Sequence, residues 1–150
     1  MRALVRRVSS ARVKVLSKQV GSIGDGLLVY LGIHIEDDCG DLDWVLKKIL
    51  GLRIFEDEQG KMNLKISQDQ GILLISQFTL WGNLKKGYRP SFNQAADPAK
   101  GEFFYNLALD QLSKNFAGKV ESGIFGAEMQ IHAIDQGPVT IWLDSQNRGY

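Results

Sequence analysis

One cysteine, two histidines and three prolines in 150 residues remove several chemistries before any motif is sought. A lone thiol, Cys39, excludes an intramolecular disulfide and any cysteine-cluster zinc site. Its acidic neighbours Glu36, Asp37 and Asp38 disfavour the thiolate, so it reads as a bystander. His34 and His132 lack a metal-ligand partner at recognisable spacing, and each is expected to be a packed or surface histidine. No apolar run approaches the roughly 18 residues of a membrane-spanning helix. The opening from Met1 to Arg7 lacks the apolar stretch of a signal peptide, so a cytoplasmic protein without a membrane partner is expected. Neither sign of charge prevails: 18 basic against 17 acidic residues leave +1, which exerts little long-range pull on nucleic acid. The glycine-containing pieces Gly24-Asp25-Gly26 and Gly82-Asn83 lack the Gly-x-x-x-x-Gly-Lys phosphate cradle, which sets phosphoryl transfer aside. Neither a metal nor a cofactor is expected.

What is present is the balance of a globular chain, 44% hydrophobic and 23% charged, and the length fits one domain over 1–150 with a loose tail over 144–150. The charge is uneven: Arg2, Arg6, Arg7, Arg12, Lys14 and Lys18 fall in the first twenty residues with no acid among them. Leu4, Val8, Val13 and Val15 alternate with these cations, which predicts half-exposed strands over 2–8 and 11–16. After a turn at 24–26, the run Leu27 to Ile33 predicts a central strand buried on both faces. Leu42, Val45, Leu46, Ile49 and Leu50 then follow helical spacing, with Asp41 as the expected cap.

A short strand over 53–56, a turn over 57–60 and a piece at 61–64 lead to an apolar strand, Ile72 to Ile75. Residues 81–97 read as a surface loop. Asp97-Pro98 is an N-cap followed by proline at the first helical position, and Tyr105, Ala108, Leu109, Leu112 and Phe116 form one stripe. Strands over 127–134 and 138–143, separated by a turn at 135–137, complete an α/β domain: a mixed β-sheet with two main helices packed on it.

Two strings carry the candidate chemistry. Ser76-Gln77-Phe78-Thr79-Leu80 and Asp135-Gln136-Gly137-Pro138-Val139-Thr140 each follow an apolar run, and each reads as the polar end of a buried strand. They offer backbone N–H, carbonyl and hydroxyl groups, but no histidine or paired carboxylate. A hydroxyl is a good nucleophile only when a base takes its proton, and nothing in the sequence ties a base to Ser76 or Thr79. Their hydroxyls are better read as groups that orient a substrate. Glycine followed by proline is common in plain turns, and from spacing alone Gly137-Pro138 reads as one.

The order of motifs decides more than either string. Met1 to Val8, Gly26 to Val29, Arg53-Ile54-Phe55, Gly60 to Leu64, Ser76 to Leu80, Arg89-Pro90-Ser91-Phe92 and Gly137 to Thr140 together resemble the D-aminoacyl-tRNA deacylases over nearly the whole chain. The resemblance implies a homodimeric, metal-free hydrolase that acts on the ester of D-aminoacyl-tRNA and on wrongly charged glycyl-tRNA. It implies a cis Gly137-Pro138 bond acting as a chirality filter in the partner's site, with Arg7 holding that motif. Ser76, Gln77, Phe78 and Thr79 would line the reaction centre, and Lys85, Lys86, Arg89 and the N-terminal arginines would dock the RNA. One position departs from the pattern: Asp135 replaces the family's usual asparagine, which removes an amide donor and adds a negative charge. Two rival readings share these residues: a nucleic-acid-binding module without turnover, and a structural dimer in which the Gly-Pro turn only stabilises an interface.

Overall fold

Strand β1 (Arg2–Val15) organises the molecule, because every other large strand is built outward from it. The computed structural model describes residues 1–149. The hairpin strand β2 (Lys18–Ile23) and strand β3 (Gly26–Gly32) pair antiparallel with the second and first halves of β1, respectively. On the opposite edge β8 (Gln130–Asp144) runs antiparallel along nearly all of β1. Strand β6 (Gly71–Ser76) lies parallel to β3, and β7 (Lys119–Ser122) lies parallel to β6. A separate small hairpin joins β4 (Phe55–Glu56) to β5 (Met62–Leu64).

The sheet separates two cores, and strand alternation assigns residues to each. Ala3, Val5, Leu27, Val29, Leu31, Ile72 and Leu74 face a large core covered by α1 (Cys39–Gly51) and α2 (Pro98–Asn115). Leu28, Leu73 and Ile75, one residue out of step, face a smaller core with Val8, Ala11, Val13 and Ile23. In β1 the inward parity changes between Val8 and Ala11, where the pairing with β8 also shifts register. An irregularity of this kind bends a strand without ending it. The expected strands over 2–8 and 11–16 are therefore one bent strand.

The helices follow their sequence signals with one correction. Leu42, Val45, Leu46 and Ile49 are buried as the periodicity requires, but the N-cap of α1 is Asp38. Asp41 is the third residue of a capping box, returning a bond to the Asp38 backbone while Asp38 accepts from the Asp41 N–H. Asp97 caps α2 with Pro98 in the first turn, and Phe104, Tyr105, Ala108 and Leu112 are buried.

Three expectations fail elsewhere. Strands β2 and β7 had no visible pattern, and the turn into β2 uses Leu16 and Ser17 at φ of 48° and 66°, without the glycine or asparagine that marks such hairpins. Residues 135–137 are not a turn between two strands; they lie within the single strand β8. Nor is the run before them buried, since Ile134 is 64% exposed. The tail is not loose at its start: Ser145 is buried and bonded to Met1, and Arg148 pairs with Asp41. The charged amino terminus of Met1 lies on buried Asp37 at 2.5 Å and also donates to Ser145 Oγ at 2.6 Å, just past the end of β8.

Candidate active site

Strands β3 and β6 are parallel neighbours, and a crevice outside the carboxyl ends of parallel strands is where such sheets bind ligands. A cleft of about 610 Å³ opens there. Its floor is Leu31, Ile33 and Ile75; its walls carry Ser76, Gln77 and Phe78 on one side and Phe92, Phe125 and Met129 on others. The lining is mostly apolar, with polar atoms concentrated at 76–78.

The wall at 76–78 is set by a sharp departure from β6. Ser76 is the last strand residue, Gln77 bonds through its N–H to the Leu31 carbonyl at 2.8 Å, and Phe78–Trp81 forms one turn of 3-10 helix. Gly32 makes this packing feasible, because a Cβ there would lie 2.8 Å from the Gln77 carbonyl oxygen. The first intrinsic bond of the turn runs from Leu80 N–H to the Gln77 carbonyl. The amides of Phe78 and Thr79 precede it and are open to an external acceptor. Arg2 braces the turn from behind: its guanidinium stacks 3.8 Å from the Trp81 ring centroid, donates to the Leu80 carbonyl at 2.9 Å and pairs with Asp144. Trp81 donates in turn to the Gly32 carbonyl.

Of the four residues expected at the reaction centre, Ser76, Gln77 and Phe78 line the cleft, whereas Thr79 is exposed and does not line it. The Gln77 amide donates to the Thr79 hydroxyl at 2.5 Å, leaving that hydroxyl's own proton free to be donated. Among the described residues neither histidine bonds to it. His34 is buried against Trp81 and accepts from the Glu36 N–H, and His132 is exposed on β8. Cys39 is exposed at the start of α1. Among the described residues no group of three or more histidine, cysteine, aspartate or glutamate side chains is placed to hold a metal ion.

The second string lies elsewhere. Arg6 pairs with Thr140 and Val8 with Asp135, so four residues, 136–139, stand opposite Arg7 alone. The surplus must leave the sheet, and Gly137 and Pro138 form an exposed projection with a cis peptide between them. Gly137 has φ of +126°, and a Cβ there would lie 3.1 Å from the Arg7 guanidinium. Arg7 is buried beneath the projection, donating from Nε to the Gln136 carbonyl at 3.0 Å and from Nη1 to the Ile54 carbonyl at 2.6 Å, with Glu56 at 3.6 Å. Arg7 pairs across to Leu27, whereas the cleft begins at Leu31. Four residues of strand are about 13 Å, and neither Gly137 nor Pro138 lines the cleft of its own chain.

Lys85, Lys86 and Arg89 are all exposed, on a loop pinched at its base by paired bonds between Asn83 and Ser91. The chain returns to the cleft through Phe92, Ala95 and Ala96, while the three cations and fully exposed Tyr88 lie on the loop beyond the pinch and do not line the cleft. Three of the four N-terminal arginines already have partners, and the fourth, Arg12, is exposed on β1. Arg2 is committed to Asp144 and Trp81, Arg6 to Asp135 and Arg7 to the main-chain carbonyls of Ile54 and Gln136. Sequence reading missed Phe125 and Met129, whose segment has no periodicity, and the Arg7 contacts at Ile54 and Glu56, which only the β4 hairpin brings near.

Comparison with known proteins agrees along the whole chain. A family profile described as D-Tyr-tRNA(Tyr) deacylase matches residues 4–144. A D-aminoacyl-tRNA deacylase of Kosmotoga olearia is 50% identical over 149 residues, covering 99% of each chain. One from Thermotoga petrophila is 49% identical, covering 97% of each. Among solved structures, a c-Myc DNA Unwinding Element Binding Protein superposes with a TM-score of 0.90 at 43% identity, covering 96% of this chain and 98% of its own. A probable eukaryotic D-amino acid tRNA deacylase shares the fold, with a TM-score of 0.70 at 21% identity over 95% of this chain and 97% of its own.

Proposed function

Because the chain belongs to the D-Tyr-tRNA(Tyr) deacylase family, we propose that it hydrolyses the ester of D-aminoacyl-tRNA in the cleft beside Ser76–Phe78, with handedness tested by Gly137-Pro138 of a second copy. The observation that carries this reading is the separation of the two motifs: one walls a cleft, the other projects from an edge strand away from it. A homodimer in which each projection enters the other protomer's cleft unites them. Strand β8 supports such an assembly, since it pairs with β1 alone and exposes Ile134 and Trp142.

The chemistry asks little of side chains. An aminoacyl ester is already activated, so holding it in line with a water removes much of the barrier. The Phe78 and Thr79 amides are suited to receive the developing oxyanion, and one preorganised donor is worth about 2.7–4 kcal/mol. A hydroxyl of the terminal ribose serves as proton relay in place of a protein base. Phe78 and Phe92, edge to face at 5.0 Å, and Phe125 offer apolar surfaces for the terminal base. Lys85, Lys86 and Arg89 contact the phosphates beyond it.

The filter follows from what the substrates share. Side chains differ among amino acids, but the α-amino group, Cα and ester do not, so a rigid main-chain projection tests configuration without reading the side chain. An L side chain points into that backbone and is excluded. Glycine has no side chain to exclude, which places mischarged glycyl-tRNA among the substrates.

The test is release of D-tyrosine and of L-tyrosine from tRNA by the purified protein in the presence of a chelator. Fast release of the D form with the L form intact is expected. Salt-dependent tRNA binding with no release of either would favour the binding-module reading and overturn this one.

A further inference from the structure

The Gly137-Pro138 projection has two feet, Thr140 paired with Arg6 and Asp135 paired with Val8, and the pairing around the second is irregular. At Thr140 β8 remains in register with Arg6, but the pairing of β8 with β1 shifts on both sides of Val8, where the other foot, Asp135, rests. A foot placed on irregular pairing needs side-chain anchors if the projection is to hold one pose. We propose that Arg6 and Asp135 form a clasp that sets the pose of this projection and so helps determine D/L discrimination, an inference that rests on the filter reading above.

The geometry is that of a matched pair. Arg6 donates from Nε to one Asp135 carboxylate oxygen at 2.9 Å and from Nη2 to the other at 2.7 Å. Two parallel charged bonds fix both distance and plane, which a single point contact does not. Successive strand residues point to opposite faces, so Arg6 and Arg7 grip the bulge from both sides: Arg7 holds Gln136 from the buried side and Arg6 holds Asp135 from the other. The Asp135 bond is the leading cause of the raised Arg6 pKa, opposed by partial burial and aided by Asp135 charge and by Tyr30.

The pair also gives a physical meaning to an aspartate, rather than an asparagine, at position 135. An asparagine would present one acceptor and one donor to a guanidinium that only donates, so one of the two bonds would be lost. The aspartate's charge is balanced locally by Arg6 rather than left to repel RNA. Side chains this exposed, 25% and 35%, add little to overall stability. Their contribution is to orientation.

The experiment compares the ratio of kcat/KM for D- and L-tyrosyl-tRNA in the wild type, Arg6→Gln, Asp135→Asn, the double variant and Gly137→Ala. Each single change of the pair is expected to lower the D:L ratio roughly three- to tenfold, as expected for one lost bidentate contact, through faster release of the L form. The double variant, an amide facing an amide, is expected to recover much of the loss. Raising salt to about 1 M, where screening acts over about 3 Å, should lower the wild-type ratio more than that of the double variant; the ratio cancels the effect of salt on tRNA binding common to both substrates. A merely structural role would shift thermal stability and both rates together, leaving the ratio fixed. An unchanged ratio in both single variants, with the ratio altered in Gly137→Ala, overturns the clasp and leaves the filter standing. An unchanged ratio in Gly137→Ala as well removes the filter reading, and the clasp with it.

Discussion

Replacing Arg7 by methionine keeps the length of the stem but removes the head that joins the β8 projection to the core. In the native protein that head is 5% exposed and makes two main-chain bonds, to Ile54 at 2.6 Å and to Gln136 at 3.0 Å. A hydrogen bond to a charged group contributes about 1.5–3 kcal/mol. Gln136 is exposed, so its carbonyl regains water and part of that loss is recovered, whereas the Ile54 carbonyl stays buried without a donor. Glu56 is largely exposed and its ion pair adds under about 1 kcal/mol. The sum is about 3 kcal/mol, and at roughly 2–4 °C per kcal/mol for a chain of this size Tm should fall by about 6–12 °C. Scanning calorimetry measures that fall. Deacylation of D- and L-tyrosyl-tRNA well below the new Tm measures the second consequence, faster release of the L form as the projection loses its anchor. Lysine at the same position keeps the charge and one bond, and should lie between the two. A variant that melts at the wild-type temperature refutes the bond accounting. One that melts early yet discriminates like the wild type refutes the link between Arg7 and the filter.

Gly137→Ala should abolish most D/L discrimination, because the new Cβ meets Val139 at 2.7 Å and Arg7 at 3.1 Å at a φ that L-residues avoid; unchanged product ratios would contradict this. Neutralising Lys85, Lys86 and Arg89 together should raise KM for tRNA and reduce the slope of log KM against log salt by about 2–3, at roughly 0.7–0.9 per lost phosphate contact, while an unchanged slope would place the RNA elsewhere. Tyr105 donates to the Leu74 carbonyl in the core, and burial pushes its hydroxyl pKa up to about 12 from about 10. The folded state then retains a proton that the unfolded chain loses between these values, so this group's stabilisation is complete below pH 10 and about 2–3 kcal/mol is lost as pH rises to 12. Urea unfolding should show a steeper alkaline decline in the wild type than in Tyr105→Phe, and parallel curves would refute the assignment.

The sequence was most readable where a residue's role depends on local spacing. The buried β3 run, the α1 stripe, the Asp97-Pro98 helix start and the departure from β6 at Ser76 are properties of short windows, and each is found in place. Long-range pairing was not readable. The Leu16-Ser17 turn lacks the usual residues, and the β1 bend depends on register with a strand more than a hundred residues away. Asp135 to Gly137 carries local turn chemistry, but β8 pairs with β1 on both sides of residues 136–139, so the segment is an outward bulge within one strand. At the site, the strings themselves were evident, but their anchors were not: Ile54 beneath Arg7, Asp135 beside Arg6 and Trp81 under Arg2 meet only through the tertiary fold. Charge counted along a chain does not reveal which cations already have partners: Arg2, Arg6 and Arg7 do, whereas Arg12 is exposed.

The most direct test of the account is a purified heterodimer with one protomer carrying Ala127→Trp, which fills the cleft, and the other carrying Gly137→Ala. If the projection of one chain serves the cleft of the other, the intact projection and the intact cleft meet, and the heterodimer shows the wild-type D:L ratio at about half the turnover. If each cleft uses its own projection, the only open cleft is paired with the altered glycine, and a ratio matching the Gly137→Ala homodimer would contradict the account.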